Sequence, residues 1–177
     1  MSPVLPQEMQ THTYAIIDRV EDSHWWFVGR RAILESFLSS IPDAGKIRNK
    51  KLEILDVGCG TGANLEMLQK FGNAYGVDVS DEALAFCSRK GLNVRKGLAE
   101  NLPFDDETFD ITTALDVIEH LDDDIAGLKE MYRVTRPGGY SLIFVPAFMW
   151  LWGVQDEISH HRIRYTRAQI TGRVRQA

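Results

Sequence analysis

Cysteine is scarce. The chain has two, Cys59 and Cys87, among 177 residues, too few for a disulfide framework, so a reducing cytoplasm is the expected compartment. A broad basic field is missing too: 20 Lys and Arg stand against 25 Asp and Glu, a formal charge of −5. Such a chain lacks the phosphate-neutralising surface that nucleic acid requires, and nucleic acid is not expected as a partner. Long apolar runs are absent as well. The longest, Tyr140 to Val154, is broken by Pro146 and Gly153 and falls short of the roughly 20 residues that span a bilayer, so no transmembrane segment is expected. The first residues, MSPVLPQEMQTHTY, have neither the basic nor the apolar region of a secretory signal.

What is present is the composition of one soluble globular domain, 44% hydrophobic and 25% charged. The charge is uneven: beyond Ile158 come Arg162, Arg164, Arg167, Arg173 and Arg175 and no acid, the pattern of a solvated arginine-bearing helix. The polar stretch Pro42 to Lys51 carries Pro and Gly, which divides an N-terminal helical and aromatic cap, 1–45, from a core, 46–177.

Periodicity gives the elements. In Arg30 to Ser39, apolar Ile33, Leu34, Phe37 and Leu38 mark one helical face. Leu52, Ile54, Leu55 and Val57 form a short buried strand ended by glycines. A helix over Asn64 to Phe71 and a strand over Ala74 to Val77 complete a strand, crossover helix, parallel strand unit. Ser80 before Asp81 and Glu82 is an N-cap opening a helix that stops before Gly91. Strands are expected at Asn93 to Lys96, Phe109 to Leu115 and Tyr140 to Val145. A helix at Ile125 to Val134 faces the core through Ile125, Leu128, Met131, Tyr132 and Val134, and is broken by Pro137-Gly138-Gly139. The final TRAQITGRVRQA reads as one more helix. Alternation of strands and helices predicts an α/β fold: a doubly wound, mostly parallel sheet with helices on both faces and ligands bound outside the carboxyl ends of its strands.

The chemistry-bearing segment is Asp56-Val57-Gly58-Cys59-Gly60-Thr61-Gly62, where strand one turns into a helix. Its glycines let the backbone bend sharply and approach a ligand closely. With Ala63 the loop also satisfies the pattern of dinucleotide-binding folds, so it does not by itself choose a cofactor. An acid at Asp56 suits a cationic ligand and would repel a pyrophosphate, while Asp78, at the end of strand two, can accept both hydroxyls of a ribose.

DVGCGTG, GVDVS, GLAENLPF, FDITTALDVIEHL and RVTRPGGYSLIFVP stand in the order and spacing of class I S-adenosylmethionine-dependent methyltransferases, and from Leu52 to about Pro146 the chain resembles that family. The resemblance implies S-adenosyl-L-methionine as cofactor. It places Asp56, Gly58, Cys59, Gly60 and Gly62 around the methionine part, Asp78 on the ribose, Val79 and the backbone at Leu98 and Ala99 beside the adenine, and Leu115 at the cofactor site. Many relatives carry Asp where this chain has Leu98, so adenine recognition is expected to rest on backbone groups and apolar contact.

Asp116, Glu119 and His120 follow strand four, on the side where an acceptor meets the donor. Methyl transfer is an in-line displacement, so alignment removes much of its barrier and a base is needed only for a protonated acceptor. His120 is the candidate base, with Asp116 beside it, although a structural hydrogen-bonding role for that histidine is an equal alternative. Acceptor-binding candidates are Glu119, Trp25, Trp26 and Arg30 of the cap, and His160, His161 and Tyr165 after strand five. For the cap aromatics, core packing is the favoured alternative to a lid over ligand. No metal is expected, because adjacent histidines rarely ligate one ion together.

The family fold has seven strands in the order 3-2-1-4-5-7-6, and no sequence here reads as strands six and seven. Strand five would then be an apolar, uncharged edge. Truncation is the favoured explanation; a dimer or partner chain over the edge, or cover by the loop Phe148 to Val154, are the others. The leading expectation is methyl transfer to a small or medium-sized acceptor. The alternatives are a catalytically silent cofactor-binding module and, less well supported, a nicotinamide dehydrogenase.

Overall fold

The computed structural model describes residues 11–41 and 51–177. The N-terminal stretch read as not being a signal lies largely outside these residues, as does the expected junction Pro42 to Lys51. Two helices come first, α1 (Thr11–Val20) and α2 (Trp25–Ser40). The core then runs β1 (Leu52–Val57), α3 (Ala63–Leu68), β2 (Gly72–Asp78), α4 (Asp81–Arg89), β3 (Asn93–Lys96), β4 (Phe109–Leu115), α5 (Asp124–Val134) and β5 (Thr135–Phe144). Two more helices follow, α6 (Val154–Ile158) and α7 (Arg167–Gln176).

Five strands form one sheet in the order β3-β2-β1-β4-β5, with every pair parallel. This is the Rossmann-like arrangement expected, with no sixth or seventh strand among the described residues. The order reverses between β1 and β4, which puts the switch point, and the crevice beyond it, at the ends of those two strands. Alternation along β1 builds both faces: Leu52 and Ile54 pack with Leu34, Leu38, Leu65, Leu68 and Ile111, whereas Leu55 and Val57 pack with Phe109, Leu128, Met131 and Tyr165. Thus α2 shares the core of the sheet through Leu34 and Leu38, both fully buried.

Several details depart from the periodicity. On α2, Ile33 and Phe37 are about half exposed; a helix touching one surface buries a stripe one residue wide here, i and i+4, rather than the doubled stripe. Tyr132 of α5 is exposed for the same reason. Pro137-Gly138-Gly139 does not separate α5 from β5. It lies inside the strand, where the register with β4 jumps between Phe109↔Thr135 and Ile111↔Tyr140; Gly138 takes a φ of +81° in that bulge. Ser80 caps α4 by accepting from the Ala83 N–H, and Thr166 caps α7 in a reciprocal box with Gln169. No described helix is long and apolar enough to cross a membrane.

Candidate active site

The glycine loop leaves β1 with Gly58, Gly60 and Gly62 all at positive φ, +68°, +53° and +96°. The Gly58 and Cys59 N–H groups donate to the Val77 carbonyl, at 2.8 and 3.0 Å, which ties the loop to the end of β2. A Cβ at Gly58 would stand 2.4 Å from Val117 Cγ2, whereas one at Gly60 would meet nothing within 4 Å. Gly60 therefore presents bare backbone to open space, the cradle a ligand needs. A cavity opens there, lined by Gly58, Gly60, Asp78, Val79 and Ala99 together with Asp116, Val117, His120 and Leu121.

Asp78 receives the Gly60 N–H on Oδ2 and the Ser80 N–H on Oδ1, both at 2.9 Å. Its carboxylate is thus fixed in orientation at the cavity wall, with lone pairs left for hydroxyl donors. Asp56 does not line the cavity. It is buried beneath the loop, accepting from the Thr113 hydroxyl at 2.6 Å on Oδ1, while Oδ2 has no hydrogen-bond partner. Burial pushes its carboxyl up to about 7, against the lowering effect of Thr113 and of the nearby Arg30 guanidinium. An under-satisfied carboxyl below the cradle suits a ligand that brings positive charge.

Cys59 and Leu115 are packed in the core cluster on one sheet face, and Gly62 is tucked against Cys87 and Leu92. None of the three borders the cavity. Leu98 is exposed and also lies off the cavity wall, while its neighbour Ala99 lies on it. From the cap, Trp25 and Trp26 are exposed on α2 and do not reach the cavity; they pack in no core either. Arg30 does reach the site, forming an ion pair with Asp116. Asp116 itself sits at φ +58°, a left-handed conformation costly to a residue with a Cβ and found where structure is held for use.

Behind Asp116 a 3₁₀ turn, Ile118–His120, projects Glu119 and His120. Burial, with the neighbouring Arg162 guanidinium acting in the same direction, lowers His120 to about 4, so its imidazole is neutral at pH 7. Glu119 is fully buried, and burial raises its carboxyl to about 8. His161 comes alongside from the segment after α6, its ring perpendicular to that of His120 with centroids 4.7 Å apart. His160, beside it in the chain, takes a φ of +57° and does not line the cavity. Tyr165 is buried under the turn, its hydroxyl donating to Asp124 at 2.9 Å, away from the cavity.

Two participants escaped the sequence reading. Tyr14 of α1 lines the cavity. Glu21, at the end of α1, is buried, accepting from the Thr61 hydroxyl of the glycine loop at 2.5 Å and from Lys90 of α4 at 3.1 Å. Neither lies in a motif. Their only sequence signal is an acid and a tyrosine on a short amphipathic helix, which is the signal of countless surface helices.

A cradle of positive-φ glycines, an acid closing the next strand and a five-stranded 3-2-1-4-5 sheet meet the methyltransferase-domain profile over residues 55–143. The chain belongs to the methyltransferase-domain family. The fold is that of the class I, S-adenosylmethionine-dependent methyltransferases. Among curated relatives, it is similar to a demethylmenaquinone methyltransferase of Chlorobaculum tepidum, 37% identical over 113 residues, which cover 58% of this chain and 47% of the relative. The chain spans about half or less of the length of the curated relatives it matches. Among solved structures, a Thermotoga maritima S-adenosylmethionine-dependent methyltransferase matches with a TM-score of 0.65 at 26% identity, covering 93% of this chain and 80% of that one. A complex of the Haloferax volcanii Trm112 methyltransferase activator with a methyltransferase gives 0.73 at 20% identity, with 94% and 75% covered, a likeness of fold.

Proposed function

We propose that this methyltransferase domain transfers a methyl group from S-adenosylmethionine to a small or medium-sized acceptor by in-line displacement. The observation that carries the reading is a cavity that brings the glycine cradle and Asp78 together with Asp116 and His120. S-adenosylmethionine supplies a methyl group made electrophilic by its sulfonium. Asp78, already oriented by two backbone N–H groups, takes the ribose hydroxyls, and Val79 and Ala99 border the adenine. Gly58 and Gly60 admit the methionine part, with Asp56 below them as counter-charge.

In the same cavity, neutral His120 accepts a hydrogen bond from an acceptor O–H or N–H and so aims the acceptor's lone pair at the methyl group. A pKa near 4 makes it a weak base, so its contribution is alignment more than proton removal. Asp116, locked by Arg30, shapes the same wall. The name of the demethylmenaquinone relative makes an aromatic quinol the first acceptor to try.

The test is titration calorimetry of the purified chain with S-adenosylhomocysteine, with Asp78→Ala as control. Saturable micromolar binding lost in the variant supports the reading; a folded, monodisperse sample that takes up no ligand refutes it.

A further inference from the structure

Three carboxylates and two guanidiniums crowd the wall behind His120. Arg30 is paired with Asp116, and Arg164 Nε donates to Asp156 Oδ1 at 2.8 Å. Glu119 is left over: it is fully buried, and neither of its oxygens has a hydrogen-bond partner. A buried, unsatisfied carboxyl is costly unless something meets it, and no side chain does so here.

What faces it is imidazole. His161 Nε2 lies 3.8 Å from Glu119 Oε1, too far for a hydrogen bond and close to the separation of two ligands on one ion. Ligand atoms of Glu119, His120 and His161 all lie within 4.8 Å of one another. Bonds of about 2.0–2.2 Å to a tetrahedral zinc would bring such atoms to about 3.4 Å apart, a small closure for three side chains.

The support for His161 is built as metal-ligating histidines are supported. Its Nδ1 bonds Asp156 Oδ1 at 2.8 Å, which leaves Nε2 free to ligate and fixes the ring. Asp156 is itself fully buried and held by the Gly153 N–H at 2.8 Å and by Arg164. The loop is fastened to the turn through the Arg162 N–H on the Glu119 carbonyl at 2.8 Å and Arg162 Nε on the His120 carbonyl at 2.6 Å. His120 also lines the cavity.

From this geometry we infer that Glu119, His120 and His161 form a site for a divalent metal ion of the zinc type, with its open coordination position toward the cavity. This departs from the sequence expectation of no metal. That expectation weighed His160 with His161; the fold instead brings His161 to a partner 41 positions earlier in the chain, through a loop closure that sequence adjacency does not show. Two imidazoles and one carboxylate suit zinc and its neighbours rather than calcium or magnesium, and they leave one position for water or an acceptor oxygen; with the His120 lone pair on the ion, that open position replaces the hydrogen bond His120 accepts in the metal-free protein.

The experiment uses the full untagged chain, stripped with chelator and then titrated with Zn²⁺ by calorimetry and, separately, with Co²⁺ by absorption spectroscopy. One equivalent of Zn²⁺ should bind, and Co²⁺ should give visible bands of a nitrogen and oxygen site without thiolate charge-transfer bands. His161→Ala should weaken binding at least 100-fold, and Asp156→Asn 10- to 100-fold, with thermal melts of the stripped variants confirming that they fold. Glu119→Gln, which keeps shape and removes charge, serves where the alanine variant fails to fold. A folded wild type that takes up no Zn²⁺, an unchanged affinity in these variants, or thiolate bands pointing to Cys59 and Cys87 would each overturn the assignment. These readouts do not depend on methyl transfer.

Discussion

Replacing Asp56 by Asn tests the idea that a buried acid under the glycine loop is kept at the expense of stability. The carboxyl rises from 3.8 to about 7 on folding, chiefly through burial. Below pH 4 it is protonated in both states and contributes nothing. As pH rises from 4 toward 7 the unfolded chain gives up this proton while the folded chain keeps it, so folding is progressively disfavoured; above 7 both are ionised and the penalty is constant. The gap of roughly 3 units corresponds to about 4 kcal/mol at full extent, of which more than half, about 2–3 kcal/mol, develops between pH 5 and pH 8. Asparagine retains an oxygen for the Thr113 hydroxyl but places an N–H where Oδ2 stands unpartnered. That defect is independent of pH and cancels when the two pH values are compared. Urea unfolding followed by tryptophan fluorescence, at pH 5 and pH 8, should show the Asn variant gaining about 2–3 kcal/mol on wild type between the two. An identical stability difference at both values would refute the burial argument for Asp56.

Other substitutions separate the parts of the site. Gly60→Ala has open space for its Cβ but a φ of +53°, so it should fold with a loss of about 1–2 kcal/mol while S-adenosylhomocysteine affinity falls, read by melting and calorimetry. Gly58→Ala adds a 2.4 Å clash with Val117 and should be markedly less stable in the same melts. Arg30→Ala strips Asp116 of its ion-pair partner and should lower stability by about 1–3 kcal/mol in urea titration, with Arg30→Lys recovering part. Tyr165→Phe removes the hydroxyl that donates to Asp124; about 1 kcal/mol should be lost in urea titration, and an unchanged stability would refute a structural role for that hydroxyl.

Local signals were enough for the sheet. The strands Asn93–Lys96 and Phe109–Leu115 appear at the bounds the residues suggest: Phe109–Leu115 because a buried parallel strand is a short apolar run punctuated by turns, and Asn93–Lys96, a polar strand at the sheet edge, because Gly91 and Gly97 frame it. The Ser80 cap and the glycine loop were legible for the same reason: their chemistry is written within three or four residues. Where the reading slipped, a long-range contact decided. Pro137 to Gly139 looks like a helix stop in isolation, yet pairing with β4 absorbs it as a bulge. Tyr165 stands among polar residues and looks like a contact for ligand, yet its ring completes the core below α5 and its hydroxyl finds Asp124.

The division of labour within the site follows from that contrast. The cofactor side is made of one continuous stretch, the loop from Asp56 to Gly62 and the end of the next strand, so its geometry is encoded locally and its residues can be named from sequence order. On the proposed reading the acceptor meets residues from separated segments, Arg30 on α2, the turn Ile118–His120 and His161 after α6, with Tyr14 of α1 on the same cavity. Each of those positions depends on how helices outside the sheet dock. A change in the segment that carries Asp156, His161 and Arg162 can therefore remodel the acceptor wall while leaving the Gly60 to Asp78 hydrogen bond intact. One cofactor cradle can in this way serve acceptors of very different chemistry, and acceptor choice in this chain is to be sought in residues 153–165 and the two N-terminal helices rather than in the glycine loop.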